Sequence, residues 1–136
     1  MSVSSQVSSN NIKIVQNYYQ ATNTGNLETI LSTLHPEFQL YEVESLPYKG
    51  TWEGHQGATE FFSAFMKTWE NPRMEGLEFF DIGSEVVVRF TLKATAKNTS
   101  KVIEMPITEF IKVKDGKVIE ILPFYQDTAK IAEVIN

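Results

Sequence analysis

Hydrophobic residues repeat at helical spacing in three places before residue 70. The first helix is expected over 11–24, ending at Gly25, with apolar residues three and four positions apart. A shorter second helix is expected to end before Pro36, whose ring disfavours the α region in the preceding residue. After Gly57 a wide apolar stripe predicts a third helix that ends at Asn71-Pro72. The three stripes contain Ile12, Ile14, Val15, Tyr18, Tyr19 and Ala21; Leu27, Ile30, Leu31 and Leu34; and Ala58, Phe61, Phe62, Phe65, Met66 and Trp69.

The rest of the chain shows the alternation that is typical of β-strands. One strand is expected over 38–44, and residues 45–54, with Pro47 and two glycines, are expected to form an irregular rim loop. Four further strands are predicted over 74–82, 85–97, 101–114 and 117–127, and the short turns between them make antiparallel neighbours. Helices followed by an antiparallel sheet indicate an α+β fold. We expect one domain over 11–136, preceded by a polar, serine-rich, disordered tail over 1–10.

A glutamate lies on the apolar face of the longest predicted strand. Side chains alternate between the two faces of a strand, so Glu109 points with four apolar residues while Thr108 and Lys112 point the other way. Glu42 shares a face with Phe38 and Leu40 in the same manner. An unpaired ionised carboxylate in an apolar interior costs several kcal/mol, so such groups are paired, neutralised or kept for function. Two such carboxylates predict a pocket whose side chains take part in a reaction. The apolar companions of Glu109 are Met105, Ile107, Ile111 and Val113.

The composition disfavours several other kinds of site. The chain of 136 residues has no cysteine and only two histidines, which leaves no disulfide or thiolate metal site. Its net charge is -5 and its twelve basic residues are scattered, which disfavours a nucleic-acid or anionic-membrane surface. The chain has no stretch close to the roughly 18 apolar residues of a membrane span, and its start lacks a signal-peptide pattern. We therefore expect a cytoplasmic protein that takes a small neutral or apolar ligand without a metal or other cofactor.

Four groups of residues support a family resemblance through their order and spacing. They are Tyr18-Tyr19 followed by Gly25-Asn26-Leu27-Glu28; Leu34-His35-Pro36-Glu37-Phe38; Gly54-His55-Gln56-Gly57 before Phe61-Phe62; and Asp115-Gly116-Lys117-Val118-Ile119 leading to Tyr125-Gln126-Asp127. Over about residues 11–131 the chain resembles the nuclear transport factor 2-like superfamily, in particular its SnoaL-like (polyketide cyclase-like) and ketosteroid isomerase-like branch. The resemblance implies a cystatin-like α+β barrel, in which a cone-shaped, curved antiparallel or mixed sheet and three N-terminal helices surround a pocket.

The same resemblance implies roles for three residues. Counted from Gly25, Tyr18 falls where a ketosteroid isomerase-like protein has its oxyanion-binding tyrosine, and Glu42 falls where it has its general base. Glu109 matches the protonated second carboxyl group of that family if the turn at 114–116 is one residue shorter. Without that gap the match is Thr108, which alternation points outward. Both family carboxyl groups are Asp, so the two Glu side chains could differ in reach and pKa, and a steroid substrate is not implied.

Each of these three residues also has a structural interpretation. Glu42 could be a solvated residue near a strand end, and Tyr18 could be a core tyrosine that bonds a backbone carbonyl. Glu109 could pair with a base across the sheet, although the nearby bases alternate outward. Those bases are Arg89, Lys93 and Lys112.

Six further residues are predicted to bind substrate: Trp52, His55, Phe61, Phe65, Tyr125 and Asp127. Trp52, Phe61 and Phe65 would line the cavity, although the primary role of the two phenylalanines of the third helix is to pack in the core. Tyr125 and Asp127 are assigned to the mouth because they share a face with Ile119 and Ile121, but Asp127 could equally cap a C-terminal turn. His55 could instead cap the third helix or lie on the surface.

These residues predict general acid and base catalysis on a small, mostly apolar substrate, of the isomerase, cyclase or dehydratase type. Glu42 would move a proton, while Tyr18 and a protonated Glu109 would donate hydrogen bonds to a developing oxyanion. The alternative is a non-catalytic ligand-binding or interaction module of the same fold. A pocket filled by its own side chains would favour that alternative.

The outer face of the predicted sheet is apolar as well. Val118, Leu122 and Phe124 are expected there, beside Phe110 of the neighbouring strand. Because a large exposed apolar area usually marks an interface, we expect a symmetric homodimer through this face, as the resemblance also implies. The N-terminal tail or the segment after Asp127 could cover the face instead.

Overall fold

The computed structural model describes residues 10–136 and has an α+β architecture. Within this range the helices are α1 (Asn10–Thr24), α2 (Leu27–Ser32), α3 (Gly54–Thr68) and α4 (Thr128–Ile135). The strands are β1 (Leu34–Glu42), β2 (Gly50–Glu53), β3 (Trp69–Asp81), β4 (Val86–Ala96), β5 (Val102–Lys114) and β6 (Lys117–Tyr125). The expected tail lies outside the described residues except for Asn10, which is helical.

The six strands form one curved, mixed sheet in the order β2-β1-β6-β5-β4-β3. Only β1 and β6 run parallel, and all the other neighbours are antiparallel. The sheet does not close into a barrel, because β2 and β3 remain at opposite edges. Helix α1 packs against β3, β4, β5 and β6, while α3 packs against β1 and β2. The predicted α+β class, with three helices on a curved sheet, is confirmed.

The second helix is shorter than its hydrophobic stripe suggested, because its last predicted residue belongs to a strand. Helix α2 ends at Ser32, and Leu34 pairs with Val118 at the start of the parallel ladder between β1 and β6. The Val118 N–H donates to the Thr33 carbonyl at 3.0 Å. Pairing with a strand more than eighty residues away therefore overrides the local helical pattern.

The third helix also ends before its predicted boundary. Its C-terminal residue is Thr68, and the fully buried Trp69 is the first residue of β3, opposite Ala96. Asn71-Pro72, expected as the helix stop, lies in β3 where the register with β4 shifts. Asn71 takes a φ of 52°, a conformation that asparagine tolerates better than most residues.

Two elements are absent from the sequence predictions. The expected rim loop contains β2, which pairs with β1 so that Trp52 lies opposite Leu40. Helix α4 follows the last strand, and its N-terminus is capped by Asp127, which accepts from the Lys130 N–H at 3.1 Å. This helix buries its apolar side chains in the core, at the helical spacing of Ile131, Val134 and Ile135.

An irregularity in β6 corrects the predicted face of Val118. The pairing of β5 with β6 shifts between Lys112 and Val113, so Val113 lies opposite Val118 while Ile111 lies opposite Ile121. Val118 is therefore fully buried, not on the outer face. A bulge of this kind adds one residue to a strand and reverses the faces on one side of it.

The other residues expected on the outer face do lie there. Leu122 is 37% exposed and Phe124 is 53% exposed, and the Phe124 ring makes an edge contact with Phe110 at 5.6 Å between centroids. Helix α4 leaves this patch of Phe110, Leu122 and Phe124 uncovered. None of the helices in residues 10–136 combines the length and the apolar character needed to cross a membrane.

Candidate active site

A cavity of about 370 Å³ lies between the concave face of the sheet and helices α1, α2 and α3. Its walls are mostly apolar and rich in aromatic rings. Exposed or half-exposed residues at the turn from α1 to α2, on one side of α3 and in β3 surround its opening. The lining residues are Tyr18, Tyr19, Thr22, Asn23, Gly25, Leu27, Ile30, Glu42, Thr59, Phe61, Phe62, Ser63, Phe65, Met66, Pro72, Met74, Phe90, Leu92, Ile107, Glu109 and Tyr125.

Glu109 projects from the middle of β5 into this cavity. Its backbone lies between Val88 of β4 and Pro123 of β6, where β5 is paired on both sides. The hydroxyl of Tyr19, on α1, donates a hydrogen bond to Glu109 Oε1. Burial raises the pKa of Glu109 from 4.5 to about 7, and the Tyr19 hydrogen bond opposes that increase by stabilising the charged form.

Glu42 is the second carboxyl group on the cavity wall, at the end of β1. It is 9% exposed, and the Tyr125 hydroxyl lies 2.7 Å from its Oε1 and 2.9 Å from its Oε2. Burial raises the pKa of Glu42 from 4.5 to about 8; the Tyr125 hydrogen bond lowers it, and the negative charge of Glu109 raises it further. The charge of Glu109 therefore influences the ionisation of Glu42.

Glu109 and Glu42 lie at the same position along the strand direction, on either side of β6. Glu109 lies opposite Pro123 on β6, and Leu40 lies beside Ile121 of the same strand. Continuing that parallel register by two residues places Glu42 beside Pro123. Their backbones are therefore separated by two strand spacings, or roughly 10 Å. Both side chains line the same cavity, so a small ligand bound there has both carboxyl groups within its surroundings.

Tyr18 supplies a hydroxyl that is not already engaged. The residue is 6% exposed and lines the cavity, and no group within residues 10–136 forms a hydrogen bond with its hydroxyl. Burial, followed by the charges of Glu109 and Glu42, raises the pKa of Tyr18 well above its usual value. The hydroxyl therefore stays protonated, and it can donate to a ligand oxygen.

Among residues 10–136, no lysine, arginine or histidine lines the cavity. The two carboxyl groups consequently have tyrosine hydroxyls as their hydrogen-bonding side chains and no cationic partner. This arrangement differs from a structural salt bridge across the sheet. The outward bases that alternation predicted do pair with acids on the outer face, as Arg89 does with Glu78 at 2.7 Å and Lys112 with Glu120 at 3.4 Å.

The structure brings together six of the nine predicted site residues. Glu42, Glu109 and Tyr18 border the cavity, as do Phe61, Phe65 and Tyr125.

The other three predicted site residues lie outside the lining. Trp52 donates from its indole N–H to the Tyr48 carbonyl at 3.0 Å, while its ring packs against Phe61. His55 Nε2 lies 2.9 Å from the Leu34 carbonyl, and Asp127 caps α4. Each of these side chains already serves the packing or capping of local elements.

Tyr19 is a cavity residue with a hydrogen bond to Glu109 that the sequence analysis did not select as a site residue. It lies in the buried row of α1 with Ile12 and Val15, where a tyrosine looks like a core residue. A buried tyrosine hydroxyl needs a partner, however, and the predicted inward carboxylate was a candidate for it. The need of the buried Tyr19 hydroxyl for a partner was therefore the feature of the sequence that could have identified Tyr19 as a site residue. Among residues 10–136, no cluster of three or more His, Asp or Glu side chains is placed to hold a metal ion.

Comparison with known proteins agrees with this architecture. The family model of the SnoaL-like domain matches residues 15–121. A nuclear transport factor 2-like protein of unknown function from Burkholderia pseudomallei is 24% identical, with a TM-score of 0.86 over 94% of this chain and 98% of that chain. TerC, co-crystallized with polyporic acid, is 26% identical, with a TM-score of 0.85 over 93% of this chain and 98% of that one.

A third solved structure, a protein from Jannaschia sp. CCS1 provisionally assigned as a SnoaL-like polyketide cyclase, is 18% identical. Its TM-score is 0.78, over 93% of this chain and 92% of that chain. No curated protein matches the chain. The family model covers most of the sequence, and the chain belongs to the SnoaL-like domain family of the nuclear transport factor 2-like superfamily.

Proposed function

We propose that this protein is a cofactor-independent acid–base enzyme that removes a proton from carbon next to the carbonyl of a small, mostly apolar substrate. The observation that carries the proposal is the meeting of Glu42, Glu109 and the unengaged Tyr18 hydroxyl on one open cavity. Carboxyl groups with pKa values near neutrality can both accept and return protons at physiological pH.

The chemistry follows from what each group can do. A carboxylate accepts the proton, and the electrons of the broken C–H bond move to the carbonyl oxygen. Tyr18 donates a hydrogen bond to the resulting enolate oxygen, in a cavity with mostly apolar, aromatic walls. In a β,γ-unsaturated ketone, return of the proton to the γ-carbon isomerises the substrate. In a substrate with a second carbonyl group, attack of the enolate on that carbonyl carbon closes a ring, and the resulting alkoxide takes the proton back from the carboxyl group.

The size and charge of the cavity define the ligand class. A cavity of about 150 Å³ in another protein holds benzene, so about 370 Å³ has room for two fused rings with a carbonyl group. The absence of cationic lining residues disfavours phosphates and other anions of high charge. TerC, which resembles this chain at 26% identity, was co-crystallized with polyporic acid, and this supports a small organic ligand.

Proton–deuterium exchange tests the proposal without knowledge of the natural substrate. The bicyclic ketone 2-tetralone is incubated with the protein in D₂O, and loss of its α-proton signals is followed by NMR. We expect the protein to accelerate exchange, and Tyr18→Phe to slow it by about 10²-fold, the usual effect of removing one oxyanion donor. A thermal-shift titration with the same ketone and with polyporic acid measures binding separately.

The non-catalytic binding module remains the second candidate, since proteins of one fold serve many functions. It would explain binding of 2-tetralone, seen as a raised melting temperature, without accelerated exchange. A screen that returns mainly nucleotides or phosphorylated sugars would contradict both candidates, because no cationic side chain in residues 10–136 lines the cavity to bind a phosphate.

A further inference from the structure

The two carboxyl groups differ in how their tyrosine partners hold them. Tyr19 donates to Oε1 of Glu109 only, so Oε2 is left without a hydrogen bond in residues 10–136. Tyr125, by contrast, lies within hydrogen-bonding distance of both oxygens of Glu42. Glu109 also retains more accessible surface than Glu42, whose exposure is only 9%. The carboxyl group with an open oxygen is therefore Glu109.

We propose that Glu109 is the carboxylate that takes the substrate proton, while Glu42 and Tyr125 act together as a neutral hydrogen-bond donor. This inference rests on the proposed function, and it exchanges the roles that the family resemblance implied for the two carboxyl groups.

Counting protons explains why the pair of Glu42 and Tyr125 suits the donor role. A neutral carboxyl group and a phenol have two O–H protons, of which one is used between them and one is left for a ligand. If Glu42 were ionised, the single remaining proton of the pair would be engaged by the carboxylate. A donor thus exists only while Glu42 is neutral.

The same count favours Glu109 as the base. Ionised Glu109 accepts the hydrogen bond from the Tyr19 hydroxyl at Oε1, and Oε2 keeps its lone pairs for the substrate. The tyrosines near the two carboxyl groups do not compete for the role of base. Tyr18 and Tyr19 come from α1, Tyr48 from the loop before β2 and Tyr125 from β6, and all remain protonated because burial raises their pKa values.

Electrostatics agrees with the geometry. Burial raises the pKa values of both carboxyl groups, and the negative charge of the first, Glu109, raises the pKa of the second, Glu42, further. Ionisation of the first carboxyl group therefore helps to keep the second one neutral. The rate of exchange should rise as Glu109 ionises and fall as Glu42 ionises.

Two matched variants test the assignment by the 2-tetralone exchange reaction. Glu109→Gln removes the base and should reduce exchange by roughly 10²-fold or more. Glu42→Gln replaces the carboxyl O–H with a weaker amide N–H₂ donor and keeps a carbonyl that accepts from Tyr125, so it should reduce exchange by a smaller factor, about tenfold. The opposite order, or equal effects in the two variants, would overturn the assignment.

A second measurement does not depend on catalysis, and it uses variants only to assign the signals. NMR titration of the unmodified protein with ¹³C-labelled glutamate carboxyl groups, assigned through Glu109→Asp and Glu42→Asp, shows which group ionises first. We expect Glu109 to do so; earlier ionisation of Glu42 would refute the assignment. Binding of 2-tetralone without exchange would instead defeat the proposed function, so the two failures are distinguishable.

The role of Tyr19 as a positioning residue adds a pH signature. Its hydrogen bond lowers the pKa of Glu109. Tyr19→Phe should therefore move the rising side of the exchange profile to higher pH, while Tyr18→Phe should lower the rate without removing a hydrogen bond from Glu109. An unchanged profile in Tyr19→Phe would contradict the role of Glu109 as the base.

Discussion

Replacement of Glu109 by glutamine should make the protein more stable relative to the unmodified chain as the pH rises. The folded pKa of Glu109 is about 7 and its ordinary value is 4.5. Between these values the folded chain binds more protons than the unfolded chain, so the free energy of unfolding decreases with increasing pH. The favourable contribution of protonated Glu109 is complete below pH 4.5 and lost as the pH rises through 7.

The expected magnitude follows from the difference of 2.5 pKa units. At 1.36 kcal/mol per unit, ionisation of Glu109 destabilises the folded chain by about 3 kcal/mol at pH values above 7. Glutamine cannot ionise, and its carbonyl can still accept from Tyr19. The variant should thus gain about 3 kcal/mol relative to the unmodified protein between pH 4 and pH 8.

Urea unfolding followed by tryptophan fluorescence measures this difference, since the core contains Trp69 and the half-buried Trp52 packs against it. Glu104→Gln is the matched control because Glu104 lies exposed on the opposite face of the same strand. It removes an equal charge without changing the cavity. A stability difference for Glu109→Gln that stays constant with pH, or that decreases as pH rises, would refute the burial of an unpaired carboxyl group at this position.

Three further predictions concern the frame around the cavity. Gly57→Ala should destabilise the protein by about 1–3 kcal/mol, measured by urea unfolding, because an added Cβ would lie 2.9 Å from the Trp52 carbonyl carbon; an unchanged midpoint would contradict the close approach of α3 to β2. Asp127→Ala should cost about 1 kcal/mol through loss of the α4 cap while Asp127→Asn costs less, and equal melting temperatures of the two variants would contradict the capping role. The homodimer proposed through the outer face should dissociate in Phe110→Glu or Phe124→Glu, because each change acts twice in a symmetric contact; light scattering that gives a monomer for the unmodified chain would reject the dimer.

The α+β class and the inward direction of Glu109 could be predicted from the sequence because both depend on local backbone geometry. A period of two residues along β5 assigns each side chain to a face, and the turn at 114–116 forces antiparallel pairing. The same rule failed for Val118, since a bulge in β6 inserts a residue that no periodicity reveals. Leu34 was placed in a helix for a similar reason, because its partner on β6 is distant in sequence.

The tertiary structure decided which tyrosine serves which carboxyl group. Tyr18 and Tyr19 are adjacent on one helix and both are buried, so helical periodicity could not show that Tyr19 reaches Glu109 while Tyr18 stays unengaged. The pair of Tyr125 and Glu42 likewise exists because β1 lies parallel to β6. Local patterns determine which face a residue occupies, since neighbouring bonds set that geometry. Contacts between residues 83 or 90 positions apart arise only when the whole sheet and its helices pack together.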